Sequence, residues 1–285
     1  MVLPQILLNG VLLGGLYGLM ALGMALVWGV LNIVNLSHGA LIMLGGYAVY
    51  FLFTVTGLDP FAALPVAMAA MFAFGYLLQR RLLNLVVRSA LLNTLLITFG
   101  LDVVLTYLAQ LAFTADFRTI NPTYSGANFA VAGLTVPVVR LAAFGIAIAL
   151  AATLWFVLAR SPLGRAIRAT SQNLTAARLY GVDPGSLYAV TFGIGAALAG
   201  AAGGLYGMVS NLTPYIGAEL TAKSFVIAII GGLSNPFNVI LGGVFVGVAE
   251  SLAALYLGPT FTNVVGFGLL VGILVVRPSP SIRAA

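Results

Sequence analysis

The sequence predicts an all-α polytopic membrane protein with about eight transmembrane helices and one further short or broken membrane segment. Three observations carry this expectation. The chain is 61% hydrophobic and only 6% charged, whereas a water-soluble domain carries about 25% charged residues; so few charges cannot cover a soluble surface of this length. Apolar runs long enough to cross a hydrocarbon core, about 20 residues each, recur along the whole chain. Glycine is abundant, with 34 residues, as expected where transmembrane helices approach closely.

The elements follow in order. Apolar runs fall at roughly 5–30, 40–56, 61–79, 91–113, 137–159, 187–209, 239–257 and 259–276. A shorter piece, "KSFVIAIIGGL" at 223–233, lies between the sixth and seventh. The connections "GLDP" (57–60) and "SNPFN" (234–238) have turn composition. No linker separates two domains, so 1–285 is expected to form one membrane domain. "GGLYG" occurs at Gly14–Gly18 and again at Gly203–Gly207, but the flanks agree only loosely, and a Gly- and Leu-rich chain yields such matches by chance.

Basic residues set the orientation, because cytoplasmic loops of membrane proteins are enriched in Lys and Arg. Arg80, Arg81 and Arg88 follow the third run. Arg160, Arg165, Arg168 and Arg178 follow the fifth, and Arg277 and Arg283 follow the last. These nine of the 12 basic residues fall on one side if the spans alternate. The N-terminus is then outside and the C-terminus inside. That parity requires the stretch from about 217 to 257 to begin and end outside, so 217–233 either crosses as a short helix or re-enters and turns at "SNPFN". Broken backbone at membrane depth survives where it is buried in protein or lines a water-filled cavity. Gly231, Gly232 and Ser234 are therefore candidates for a solute-pathway wall.

The most polar stretch is "SPLGRAIRATSQNLTAARLYGVD", Ser161 to Asp183. Pro162 suits a helix start and Gly181 before Pro184 a helix stop. Between them Ile167, Leu174 and Ala177 recur near helical spacing, with Arg165, Arg168 and Gln172 on another side. This predicts an amphipathic helix beside the membrane. Anchoring on anionic lipid explains the arginines. It leaves Gln172, Asn173, Ala176 and Ala177 unexplained, and these fit docking against a cytoplasmic partner.

This stretch, from Gly164 to Asp183, resembles the cytoplasmic coupling loop of the branched-chain amino-acid ABC transporter permeases, the LivH-like group. The resemblance extends through "NGVLLGGLYGLMALGMALVWGVLNIVNLSHGALIMLGGY", "TPYIGAELTAKSF", "GGLSNPFNVILGGVFVGVAESL" and "VRPSP". It implies an ABC importer permease fold and a coupling loop at about 160–186 that sits on an ATPase. It implies that Gly164, Arg165, Arg168, Gln172, Ala176, Ala177 and Gly181 form the coupling element. The implied partners are a second related permease or a second copy, two cytoplasmic ATP-binding subunits, an external solute-binding protein and membrane lipid, with no nucleic acid. ATP and Mg would be used by the partner ATPases, with no cofactor on this chain. The implied place is a bacterial inner membrane. The implied cargo is a branched-chain amino acid, or alternatively urea, a short amide or another small carboxylate.

Other polar residues complete the inventory. His38, the sole histidine, sits in "NIVNLSHGA" with Asn35 and Ser37. These residues either satisfy backbone groups at a helix break or line the solute path. One histidine without cysteine or a nearby carboxylate offers too few metal ligands. Asp102, inside the fourth run, is a functional candidate by its position, and either pairs, is protonated or meets a substrate ammonium. Glu250 reads as structural. "GAELTAKS" at 217–224 approaches a P-loop, but Ala222 replaces the second glycine and no strand precedes it, so ATP hydrolysis is assigned elsewhere. A stand-alone secondary transporter or channel would need no arginine-rich docking helix. An intramembrane enzyme would need nucleophile or acid–base sets that this chain lacks.

Overall fold

The computed structural model describes residues 2–87, 91–131, 133–233 and 235–276. The expectations placed on Arg88, Ser234, Arg277, Arg283 and most of "VRPSP" fall outside these residues. The helices in chain order are α1 (Val2–Leu31), α2 (His38–Thr56), α3 (Pro60–Arg81), α4 (Leu91–Phe113), α5 (Val138–Arg160), α6 (Pro162–Gln172), α7 (Leu174–Leu179), α8 (Pro184–Val209), α9 (Gly217–Gly231), α10 (Pro236–Tyr256) and α11 (Thr262–Val276). Among the described residues eight helical segments are long and apolar enough to cross a membrane. They include Pro214–Gly231, where a short or broken segment is expected, and not the last expected run at 259–276, where α11 is 15 residues long and begins with Thr262 and Asn263.

Two helices form the centre. The apolar windows of α1 and α8 are 89% and 83% buried, against 17% for α4 and 22% for α5. α1 packs most extensively on α10, and α8 on α3 and α2. Glycines set these contacts. Gly14 and Gly18 of α1 face Gly243 and Gly247 of α10 backbone to backbone, and Gly45 and Gly46 of α2 meet Gly200 and Gly203 of α8. Lipid offers helices no hydrophobic drive to associate, so close backbone approach and dispersion supply the attraction. The second "GGLYG" contributes Gly203 to the crossing with α2, as the first contributes Gly14 and Gly18 to the crossing with α10.

Local chemistry fixes the helix ends. Asn32 adopts φ 54° and closes α1, its N–H donating to Trp28 O at 3.0 Å; asparagine tolerates this left-handed backbone. Asp59 caps α3 by accepting from Phe61 N at 2.9 Å, and its other carboxylate oxygen accepts from Tyr124 OH at 2.6 Å. Burial and this bond to Asp59 push the Tyr124 phenol above its ordinary value.

The segment between α4 and α5 carries no apolar run long enough to cross a membrane. It contains a small antiparallel hairpin of β1 (Asn128–Val131) and β2 (Leu134–Pro137), with Phe129 opposite Val136. Gly133 at φ 78° supplies the left-handed turn backbone. Gln5 of α1 ties to this hairpin, donating to Thr135 O at 2.7 Å and accepting from Thr135 N at 2.8 Å. Arg118 and Leu212 exchange backbone hydrogen bonds of 3.0 and 2.7 Å, which fastens the same segment to the end of α8.

Candidate functional site

The polar element between α5 and α8 is two helices, not the single helix expected. Asn173 interrupts it at φ −152° and ψ 101°, ends α6, and starts α7 by accepting from Ala176 N at 2.9 Å. A side chain that caps a new helix competes with continuation of the old one. α7 closes on Gly181 at φ 82°, where Gly181 N donates to Arg178 O at 3.0 Å and Val182 N to Ala177 O at 3.1 Å. This pair of bonds is a Schellman motif. Asp183 then caps α8 by accepting from Gly185 N and Ser186 N, both at 3.1 Å. Hydrogen bonds from Ser186 and Gly185, with the charge of Arg80, hold its carboxyl below the ordinary value.

The residues assigned to coupling separate into two groups. Arg165, Arg168 and Gln172 are exposed, while Ile167 is buried against the protein. The Arg168 guanidinium turns back to the carbonyl of Leu158 in the last turn of α5, where a helix C-terminus favours a cation. Gly164 is buried, and a side chain there would collide with the Val157 and Leu158 carbonyls, so it permits the tight α5–α6 corner. Ala176 is half-buried and Ala177 only 3% exposed. Ala177 therefore faces inward, contrary to the expected outward face of small residues, because α7 packs that side on the protein. The outward tip is instead apolar: Leu179 and Tyr180 are 85% and 90% exposed. The sequence reading missed them; two large apolar residues directly before a glycine stop were the available signal.

Among the described residues, the expected pathway positions fall at the α1–α2 break, on α4 and at the end of α9. Asn35, Ser37 and His38 are at most 1% exposed and knit the break between α1 and α2. Asn35 Oδ1 accepts from Ser37 N at 3.1 Å and Ser37 Oγ at 2.7 Å. His38 Nε2 lies 2.8 Å from Met20 O in α1. Thr221 Oγ1 accepts from Gly39 N at 2.7 Å and donates to Leu36 O at 3.1 Å, joining the starts of α2 and α9. The Asn35–Ser37 backbone bond and the two Thr221 bonds satisfy groups at the helix break, as membrane depth requires, while His38 reaches the middle of α1 and Asn35 Nδ2 is buried without a hydrogen-bond partner. Asp102 lies on α4 one turn beyond Thr98, whose hydroxyl reaches Val34 O at 3.3 Å; Asp102 Oδ1 is buried without a hydrogen-bond partner. Gly231 packs on the backbone of Asn238 and Val239, and Gly232 takes φ 76° and ψ 161°, a backbone open essentially to glycine alone. Both make the tight α9–α10 turn. Among the described residues no group of three His, Cys, Asp or Glu is placed to hold a metal.

One charged cluster was not anticipated. Lys223 of α9 lies 3.2 Å from each carboxylate oxygen of Glu250 in α10 and donates to Tyr17 OH of α1 at 3.2 Å. Its Nζ also stands 4.3 Å from the Tyr17 ring centroid. Both side chains are largely buried, at 12% and 7% exposed. In sequence Lys223 appears only within the near P-loop at 217–224, and Glu250 reads as structural on its own.

This helical architecture, with glycine-packed central helices and a polar element between α5 and α8, is that of a polytopic membrane protein. Residues 6–274 match the family described as branched-chain amino acid transport system / permease component, and the chain belongs to that family. It is 31% identical to the high-affinity branched-chain amino acid transport system permease protein BraD of Pseudomonas aeruginosa, over 96% of this chain and 94% of the relative. It is 30% identical to the permease protein LivH of Escherichia coli K12 over the same shares. The permease protein LivM of that bacterium is 29% identical over 92% of this chain and 67% of its own length.

Proposed function

We propose that this chain is a permease subunit of an ATP-driven importer that moves a branched-chain amino acid across the bacterial inner membrane by alternating access. The carrying observation is the family match along residues 6–274, with relatives whose names specify that transport system. The chain supplies the membrane path and no catalysis; ATP and Mg act in separate ATPase subunits. A second, related permease completes the path, and the resemblance of this chain to both LivH and LivM supports pairing between two such subunits. An external binding protein delivers the solute. The N-terminus is outside and the C-terminus cytoplasmic, which puts α6 and α7 on the ATPase side.

The element from Pro162 to Asp183 supports coupling. Its exposed Arg165, Gln172, Leu179 and Tyr180 form the contact surface, and Leu179 and Tyr180 form the apolar anchor. Motion of this surface passes into α8 through the Gly181 closure and the Asp183 cap, and into α5 through Gly164 and Arg168. The reading is tested by reconstituting the chain with its permease partner, ATPases and binding protein in proteoliposomes. ATP-dependent uptake of leucine, isoleucine or valine is expected. Uptake by the permease pair without ATPase subunits would overturn it in favour of a stand-alone transporter.

A further inference from the structure

The Lys223 cluster borders a cavity of about 380 Å³ walled by Ala218, Ala222, Val226, Val246 and Gly266, with Glu219, Lys223 and Glu250 as its charged members. Small-molecule sites have this volume and this character: mostly apolar walls with a few placed polar groups. The charges are not neutral. One lysine faces two glutamates, leaving one negative charge in excess. The three N–H donors of Lys223 face Tyr17 OH and the two oxygens of Glu250, each at 3.2 Å. The nearest oxygen of Glu219 is 4.0 Å away, too long for a hydrogen bond. Glu219 itself is 50% exposed, so its carboxylate stands at the cavity with capacity to spare.

Stability does not require such a pair. An ion pair in a low-dielectric interior is replaced by well-packed apolar residues at little or no cost, and charges at membrane depth mark function by default. We propose that this cavity is a binding site for the zwitterionic head of a small apolar amino acid. The ligand ammonium takes Glu219, its carboxylate shares the Lys223 ammonium with Glu250, and its side chain lies on Ala222, Val226 and Val246. Glu250 and Tyr17 hold the lysine in position. The adjacent charges of Lys223 and Glu219 match the adjacent opposite charges of an α-amino acid. The assignment rests on the amino-acid transport reading above, which it narrows to named residues.

The chain has no cysteine, so a single Ala218→Cys reports on the cavity directly. The full chain, assembled with its partners in nanodiscs, is labelled with a maleimide in the presence of L-leucine, 4-methylvalerate or isoamylamine. L-leucine is expected to slow labelling, while the analogues that lack the ammonium or the carboxylate do not. Adding Glu219→Gln raises the leucine concentration needed for protection by about tenfold. Equal protection by all three compounds, or none by leucine in an assembly that imports leucine, overturns the site and leaves the transport reading standing. Protection by leucine in an assembly that does not import branched-chain amino acids upholds the site and overturns the transport reading.

Discussion

At the residue scale, Lys223 and Glu250 are the most consequential pair, because each leaves the other buried and charged if removed alone. Lys223→Met is expected to destabilise the protein by about 3–5 kcal/mol, whereas Lys223→Met combined with Glu250→Leu recovers most of that loss. Thermal melting of the detergent-purified variants reads both. Equal melting of the single and double variants would show that the pair is not coupled. Glycines provide a second contrast. Gly243 lies against the backbone of Gly14 and Gly18, while nothing stands within 4 Å of a side chain built at Gly145. Gly243→Val should separate α1 from α10 and abolish folded yield. Gly145→Ala should stabilise α5 by up to about 1 kcal/mol through helix propensity. Size-exclusion profiles and melting temperatures separate these outcomes. Equal tolerance of the two changes would remove the packing argument.

At the element scale, helix caps decide what hydropathy alone leaves open. The spans were legible because each apolar run must satisfy its own backbone in lipid; the observed ends at Leu31, Thr56, Phe113 and Val209 fall within a residue of the expected ones. The split at Asn173 was not legible. It depends on one side-chain bond whose competition with helix continuation is decided by how α6 and α7 fold back on the protein. The hairpin at 128–137 was equally hidden, since its strands are four residues each and are tied to Gln5, far away in sequence. The Lys223–Glu250 contact spans 27 residues and two helices, and no local pattern announces it. Caps also yield a pH prediction. The Asp183 carboxyl titrates lower in the folded protein than in the unfolded chain. Its contribution is therefore fully present above the unfolded carboxylate value of about 3.9 and is lost as pH falls through the lower folded value. Asp183→Ala should cost about 1 kcal/mol at neutral pH, and Asp183→Asn, which still caps, much less. Melting curves from pH 7 downward should show the wild type converging on Asp183→Ala only in strong acid. A constant gap at every pH would mean that the carboxylate charge is irrelevant to the cap.

At the scale of the whole molecule, the fold joins a glycine-packed centre to a projecting element, α6 and α7, which the proposed coupling role makes a lever. α1 and α8 are enclosed by glycine-mediated contacts that leave no room for gradual deformation, and packed interfaces of that kind shift between discrete arrangements. α8 is continuous with the α6–α7 element through Asp183, and Asn84 donates to Gly185 O at 3.1 Å, tying the segment after α3 to the same turn. A displacement of α7 is thereby delivered to the start of the helix that packs on α1, α2 and α3. Gly181 is the joint. Proline there cannot adopt φ 82° and has no N–H to donate to Arg178 O, so Gly181→Pro destroys the closure without touching a membrane helix. Arg168→Glu instead reverses the charge at the α5 C-terminus and releases α6 from Leu158. Leu179→Glu leaves both joints intact and alters only the exposed anchor. All three variants should insert in the membrane at wild-type levels. Each should lower substrate-stimulated ATPase of the reconstituted assembly by about tenfold or more, the scale of losing an apolar anchor or a charged contact at an interface. Basal ATPase of the isolated ATP-binding subunits serves as the internal reference. Wild-type stimulation in all three would locate the ATPase contact elsewhere, whereas loss in Gly181→Pro and Arg168→Glu with full activity in Leu179→Glu would keep the lever and discard the anchor.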